Sequence, residues 1–287
     1  MVNFDSENVF MIGNSLFRMP RKSFWGRRLF PPGYRDCIVL FFLAWVLRLI
    51  IHGMDSMISR DGVIYLNMIQ CWHDSGSYEG MLESLDVPYS YSFDYEDIPS
   101  LFFFLAQLVM DLGYTSFTAT FLLNLFFGCS LPLLGYGMAR FVFRQRWKAF
   151  ASGLLFVVHP FFVSVSIQPQ RDVGYLFFSG LTVLFAMYAL FKHYPSFWTI
   201  CGICIALACM IRIEALEFLA IFPLLFLFQF IQKKETLHFA ARNILYILIP
   251  FFATFVLMNF WMGRSLKSIS KIYISHYTSE KNKMFLQ

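Results

Sequence analysis

The sequence predicts an all-α integral membrane protein with about seven transmembrane helices and with interfacial helices in its first outer loop. Three observations predict this fold class. Of the 287 residues, 58% are hydrophobic and only 14% are charged, whereas ordinary soluble domains carry about 25% charged residues. The apolar residues form long blocks, unlike the alternating strands of an outer-membrane barrel. All Lys and Arg residues except Arg48 lie outside these blocks, in the terminal segments and the loops between the blocks, as in multi-pass membrane proteins. A soluble enzyme, a disordered chain and a nucleic-acid-binding domain are excluded.

Seven apolar blocks are each close to the length that crosses a bilayer core as a helix. They are Cys37–Gly53, Phe117–Ala139, Ala149–Ile167, Val173–Phe191, Ser196–Ile211, Ala215–Ile231 and Asn243–Gly263. The charged triplet Arg212-Ile213-Glu214 predicts a turn between the fifth and sixth spans. In the third span, His159-Pro160 predicts a helix kink in preference to a metal ligand.

The apolar block Pro99–Met110 is too short for an ordinary span and fits an interfacial helix better. The distribution of basic residues supports this assignment. With a cytoplasmic N-terminus and seven spans, 14 Lys and Arg fall inside and three outside, before the basic tail adds five outside. If the block crossed the membrane, the counts without the tail would be eight and nine, and the positive-inside bias would disappear.

This topology brings three polar segments to the non-cytoplasmic face. The first is the outer loop, where nine of the 18 acidic residues fall between residues 54 and 98. The others are the turn Gln168–Asp172 and the triplet Arg212–Glu214. The net charge of +5 therefore reflects membrane topology and gives no sign of a nucleic-acid partner.

Asp61 is the candidate general base. It lies just after the first span in SRDGVIYL, and Tyr65, four residues on, shares its face if the segment is helical. A carboxylate near the membrane surface can accept a proton from an incoming hydroxyl. The alternative is an ordinary solvated loop acid. For Asp172, the alternative is a carboxylate that interacts with the positive end of the fourth helix.

Three arginines on this face could bind a phosphate, because the guanidinium group is planar and always charged. They are Arg171, Arg212 and Arg48, the last of which could also extend its side chain toward the interface. The charges of Arg212 and Glu214 at the end of a span suggest a cluster that faces the bundle interior. The carboxylates beside these arginines could also bind a divalent metal, so the cofactor is unknown and no residue is assigned as a metal ligand.

The order of the motifs resembles the GT-C glycosyltransferases of the family 39-like group, which contains the dolichyl-phosphate-mannose–protein mannosyltransferases and the aminoarabinose transferases. The matching motifs, from about residue 36 to 270, are VLRLII with Arg48, Asp61-Gly62-Val63-Ile64-Tyr65, Pro99–Phe103 followed by Leu112-Gly113, Tyr136–Arg140, His159-Pro160-Phe161, Asp172 and Arg212–Ala215. In the family pattern an acid follows the catalytic Asp, and Gly62 stands in its place here.

The resemblance implies transfer of a sugar from a polyprenyl-phosphate-linked donor to an acceptor hydroxyl of a lipid, glycan or protein. Asp61 would be the base of an inverting reaction, and Arg171 or Arg212 would bind the departing phosphate. Asp172 would be a second polar group of the site, and Tyr65, Arg48 and Glu214 would help to bind substrates. Glu96 and Asp97 could help to bind the acceptor or a metal.

Two other functions fit the sequence less well. A transporter or flippase also carries charges within its spans, although no inverted repeat is evident. A non-catalytic module could bind a lipid carrier or a partner protein. We expect residues 1–35 to form a basic cytoplasmic segment, 36–263 the GT-C-like module with outer loop 54–116, and 264–287 a tail or the start of an outer loop. There is no N-x-S/T sequon, which favours the bacterial inner membrane over the endoplasmic reticulum.

Overall fold

The computed structural model describes residues 33–54, 58–84, 101–143, 145–192, 194–232, 236–262 and Arg264, and these residues form helices without any strand. By internal contacts the chain divides into residues 1–35 and 36–287, and the second unit contains almost all of the described residues. In chain order, the helices are α1 (Tyr34–Met54), α2 (Arg60–Ser75), α3 (Tyr78–Ser84), α4 (Leu101–Met110), α5 (Ser116–Val142), α6 (Arg146–Val158), α7 (Pro160–Ile167), α8 (Asp172–Lys192), α9 (Pro195–Cys209), α10 (Glu217–Ile231) and α11 (Leu237–Trp261).

The all-α membrane fold is confirmed, with a smaller number of clear spans than predicted. Five helices of the described residues are long and apolar enough to cross a membrane, and the bent pair α6–α7 makes a sixth if it is one span. The predicted span that is missing from this count is the fifth, Ser196–Ile211, which corresponds to α9 and has 15 helical residues. At 1.5 Å per residue it extends about 22 Å, which is less than the hydrocarbon core of roughly 30 Å.

Both predicted interruptions of the apolar blocks are present. The axes of α6 and α7 differ by 51° across His159, because Pro160 has no N–H to continue the hydrogen bonds of α6. Pro160 instead begins α7, a position that proline favours. After α9 the chain turns at Met210–Arg212, makes a short 3-10 helix at Ile213–Leu216 and continues as α10.

Helix α4 is the short block for which an interfacial position was predicted. Its ten residues extend about 15 Å, roughly half of a bilayer core. Phe102 and Phe103 are fully buried against Met68 and Trp72 of α2 and Tyr78 of α3. The three helices of the outer loop therefore share one hydrophobic core, which also includes Ala119 of α5, and α4 buries its apolar side chains mainly in protein.

The start of α4 is attached to the turn after α9. The Leu101 amide donates a hydrogen bond to the Met210 carbonyl at 2.9 Å, and Met210 and Ile211 belong to the same core as α2–α4. At the other end of the bundle, Arg146 donates two hydrogen bonds of 2.6 Å to the Asp36 carboxylate, which also accepts one from the Tyr136 hydroxyl. This ion pair joins α1 to the start of α6 and the end of α5.

Candidate active site

The three polar segments that the topology assigned to one face do meet. The Gln170 side chain, between α7 and α8, donates a hydrogen bond to the Ser59 hydroxyl at the start of α2 at 3.3 Å. Arg212, after α9, forms an ion pair with Asp172, the first residue of α8. The start of α2, the turn at 168–172 and the triplet at 212–214 are therefore adjacent, as the predicted topology requires.

Asp61 lies in the first turn of α2 and its side chain is exposed. The helix begins there because the Ser59 hydroxyl accepts a hydrogen bond from the Gly62 amide at 3.1 Å, an ordinary N-terminal cap. Gly62 itself is buried, and a Cβ atom at this position would lie only 2.7 Å from Cγ of Pro169. The absence of a side chain at residue 62 therefore lets the turn at 168–172 approach the helix that carries Asp61.

Tyr65 lies one turn further along α2, half-buried, with its ring 5.5 Å from that of Phe103. The guanidinium carbon of Arg171 is 5.8 Å from the centre of the Tyr65 ring, within cation–π range. Burial raises the pKa of the Tyr65 hydroxyl, Arg171 opposes this shift and Asp61 adds to it. Tyr65 is therefore a neutral hydroxyl at physiological pH and can donate a hydrogen bond to a ligand.

Arg212 is held between two carboxylates. Its Nη1 donates to Asp172, and its Nη2 donates to Glu214 at 2.6 Å. Its guanidinium carbon lies 5.7 Å from the centre of the Tyr175 ring, one turn into α8. The hydrogen bond to Glu214 and the charge of Asp172 hold the pKa of Arg212 above its usual value. Two negative charges thus balance this one arginine.

Arg171 has a different environment. Within the described part of the chain no carboxylate pairs with it, and its buried Nη1 atom has no hydrogen-bond partner. A buried guanidinium N–H without a partner is costly. Nε of Arg212 is likewise buried without a hydrogen-bond partner, but the charge of Arg212 is balanced by two carboxylates. Arg171 therefore has the charge that an anionic ligand could balance, next to Asp172 in sequence and beside Tyr65 in space.

Arg48 lies elsewhere in the bundle, with no exposed surface. It donates hydrogen bonds to the backbone carbonyls of Ala44, in its own helix, and of Phe162, in α7. These hydrogen bonds connect α1 to α7. Arg48 is therefore not part of the group formed by Arg171 and Arg212. Glu96 and Asp97, the remaining predicted site residues, lie outside the described residues.

Three polar residues of the site were not singled out from the sequence. Ser59 and Gln170 connect α2 to the turn, and Asn124 in α5 donates hydrogen bonds to the carbonyls of Gln168 and Gln170. An asparagine inside an otherwise apolar span is the signal that could have identified Asn124. In the part of the chain that the structure describes, no group of three or more His, Cys, Asp or Glu side chains could hold a metal ion.

The geometry can be compared with known proteins. The chain matches the sequence model of the dolichyl-phosphate-mannose-protein mannosyltransferases over residues 97–261, more than half of its length. The chain belongs to this family. A search of curated proteins found no match, and neither did a search of solved structures.

Membership in the mannosyltransferase family makes the chain a membrane glycosyltransferase of the mannosyltransferase type and a multi-pass integral membrane protein. The matched residues include Asn124, Arg171, Asp172, Arg212 and Glu214. They begin at residue 97, so Asp61 and Tyr65 precede them, and the assignment of these two residues rests on the DGVIY motif and on their position beside Arg171.

Proposed function

We propose that this mannosyltransferase-family protein transfers a sugar from a polyprenyl-phosphate-linked donor to an acceptor hydroxyl on the non-cytoplasmic face of the membrane, with inversion at the anomeric carbon. One observation carries the proposal. A potential base, Asp61, lies near Tyr65, and over the Tyr65 ring stands Arg171, which forms no ion pair with any carboxylate among the described residues. Transfer from a lipid phosphate needs these two components, a proton acceptor and an anion ligand.

Asp61 would act on the acceptor. Its exposed carboxylate, at the edge of the outer loop, would take the proton from the acceptor hydroxyl as the oxygen attacks the anomeric carbon. The bond from that carbon to the phosphate oxygen breaks on the opposite face of the sugar, and the lipid phosphate leaves with the bonding electrons. The products are the glycosylated acceptor, the lipid phosphate and a proton on Asp61.

Arg171 would bind the departing phosphate. The guanidinium group offers several N–H donors in one plane, and its charge-assisted hydrogen bonds strengthen as the leaving oxygen becomes negative. Arg212 is less suited to this role, because its charge is balanced by Asp172 and Glu214. We assign this ion-pair cluster the task of fixing the start of α8, and thereby the position of Arg171. The neutral Tyr65 hydroxyl could donate to a phosphate or sugar oxygen.

A lipid-linked donor also fits the apolar surroundings of the site. A cavity of about 200 Å³ lies among α5, α6 and α8, with Leu134, Phe156, Leu176 and Ser179 in its lining. Leu176 follows Asp172 by one helical turn, so the cavity begins close to the polar cluster. The lack of N-x-S/T sequons favours a bacterial plasma membrane for the reaction.

The test uses membranes that contain the full chain and a mannosyl-phosphate polyprenol, with release of free polyprenyl phosphate as the readout. We expect Asp61→Asn to lower the rate at least 100-fold, within the range of about 10²–10⁴ for general bases. Asp74→Asn is the matched control, since Asp74 is an exposed carboxylate of the same helix, and its rate should stay within twofold. Full activity of Asp61→Asn would remove the base from the proposal. Passage of intact donor across the membrane without release would indicate a transporter.

A further inference from the structure

Four residues between α7 and α8, Gln168–Arg171, form the site loop. They carry Arg171 and lead directly into Asp172, so the position of the loop sets the position of both side chains. Its backbone is tied to the flanking helices only at its two ends among the described residues, where the Gln168 amide donates to the Ser164 carbonyl of α7 and the Arg171 carbonyl accepts from the Tyr175 amide of α8, while the Gln170 amide donates within the loop to the Gln168 carbonyl. Side chains from other helices must therefore hold the loop in place.

Asn124 provides one such attachment from inside the bundle. This side chain is fully buried in α5, and its amide nitrogen donates to the carbonyl oxygens of Gln168 at 2.6 Å and of Gln170 at 2.9 Å. Both partners are acceptors, so only the NH2 group can face them. One buried side chain thus uses both of its hydrogens on the two carbonyls that flank Pro169.

The opposite side of the loop is attached to α2. The Gln170 side chain donates to the Ser59 hydroxyl at 3.3 Å, and the same hydroxyl accepts from the Gly62 amide. A continuous path of hydrogen bonds therefore runs from Asn124 through the loop to the helix turn that contains Asp61. Asn124 reaches the reacting groups only through this path.

We propose that Asn124 is a positioning residue of the transfer reaction, which holds the site loop so that Arg171 and Asp172 face Asp61. The inference rests on the proposed function, because it presumes that Arg171 binds the donor phosphate. Loss of the two hydrogen bonds would free the loop and move Arg171. Donor binding would then weaken, although Asn124 does not contact the donor.

The test compares Asn124→Leu with Asn243→Leu in purified full-length protein. Asn243 is a second buried asparagine, in α11, and leucine is favourable in a membrane span. We expect Asn124→Leu to raise the KM for mannosyl-phosphate polyprenol at least tenfold, and to raise the inhibition constant of free polyprenyl phosphate by the same factor. Asn243→Leu should change neither constant more than twofold.

The comparison separates positioning from mere folding. A purely structural role would reduce the amount of active enzyme, which lowers the maximal rate and leaves both constants unchanged, and that result would overturn the inference. If Asn124→Leu is not recovered folded, Gln170→Met tests the other attachment, and we expect the same two constants to rise at least threefold. Unchanged constants in Gln170→Met would count equally against the loop mechanism.

The outcome also distinguishes the inference from the proposed function. Wild-type protein that neither releases polyprenyl phosphate nor is inhibited by it would contradict the proposed function, and the inference with it. Wild-type protein that does both, with Asn124→Leu equal to Asn243→Leu, would contradict the role of Asn124 alone.

Discussion

The contact between Gly62 and Pro169 allows a sharp test of how closely the site loop must approach α2. In Gly62→Ala, the new Cβ atom would lie 2.7 Å from Cγ of Pro169. Carbon atoms in contact prefer about 3.5–4.0 Å, so the helix or the loop must move by at least about 0.8 Å. We expect the loop to move and the helix to stay, because the loop is held mainly by hydrogen bonds from the side chains of Asn124 and Gln170.

The expected effect on stability is small. Overpacking of this kind costs about 1–3 kcal/mol, and alanine in place of glycine in a helix returns up to about 1 kcal/mol. The free energy of unfolding should therefore fall by zero to about 3 kcal/mol. The effect on catalysis should be larger, because a misplacement of about 1 Å in a catalytic site can cost about 100-fold in rate.

We expect Gly62→Ala to lower release of polyprenyl phosphate between about tenfold and 100-fold per folded protein. Pro169→Ala removes the atom that collides, so the double variant should recover to within about threefold of Pro169→Ala alone. Gly53→Ala is the matched control, since a Cβ atom there meets nothing within 4 Å. Thermal unfolding in detergent measures the folded fraction.

Two results would refute this reasoning. Full activity of Gly62→Ala would mean that the loop tolerates the displacement and that its approach to α2 does not matter for transfer. A double variant as inactive as Gly62→Ala would mean that the collision with Pro169 is not the cause of the loss.

Two further predictions separate the parts of the site. Arg171→Gln should raise the KM for the donor about tenfold or more, given that hydrogen bonds to charged groups contribute about 1.5–3 kcal/mol. Thermal unfolding should change little, because Arg171 forms no ion pair with a carboxylate among the described residues. An unchanged KM would contradict the role of Arg171 as phosphate ligand. Arg212→Gln should lower the unfolding temperature, because Asp172 and Glu214 lose their shared cation. Asp36→Asn should also lower the unfolding temperature, since Arg146 loses a bidentate partner. The KM for the donor should stay within twofold of wild type. A larger rise in KM would show that the two ends of the bundle are coupled.

Much of the fold was predictable because a bilayer imposes strong constraints on sequence. The lengths of the apolar blocks predicted the helices. The distribution of basic residues predicted that three polar segments lie on the same side of the bundle. Proline chemistry gave the bend at His159-Pro160. Seven spans were predicted, whereas five or six helices of the described residues are clearly long enough to cross a membrane. The difference comes from α9, whose 15 helical residues are fewer than its apolar block suggested.

The details of the site depended on information that sequence patterns do not carry. The direction of the Arg48 side chain depends on the rotation of α1 about its axis. In the structure this side chain donates a hydrogen bond to the Phe162 carbonyl. The close approach of Gly62 to Pro169 joins residues more than 100 positions apart. The sequence did flag Gly62, because the resembled family has an acid there, and the structure supplies a steric reason why any side chain would be difficult to accommodate.

The balance of charges explains why two arginines on one face should have different tasks. Arg212 is flanked by Asp172 and Glu214, so the three side chains together are negative and would repel a phosphate. Arg171 is the last residue of the site loop, and its positive charge lies beside the neutral Tyr65 ring. Under the proposed function, an anionic donor would therefore be drawn toward Arg171 and away from the carboxylates, which would direct the phosphate to one position. This arrangement requires the loop to be held firmly, because a shift of Arg171 toward Asp172 or Glu214 would pair its charge internally and remove the anion ligand from the site.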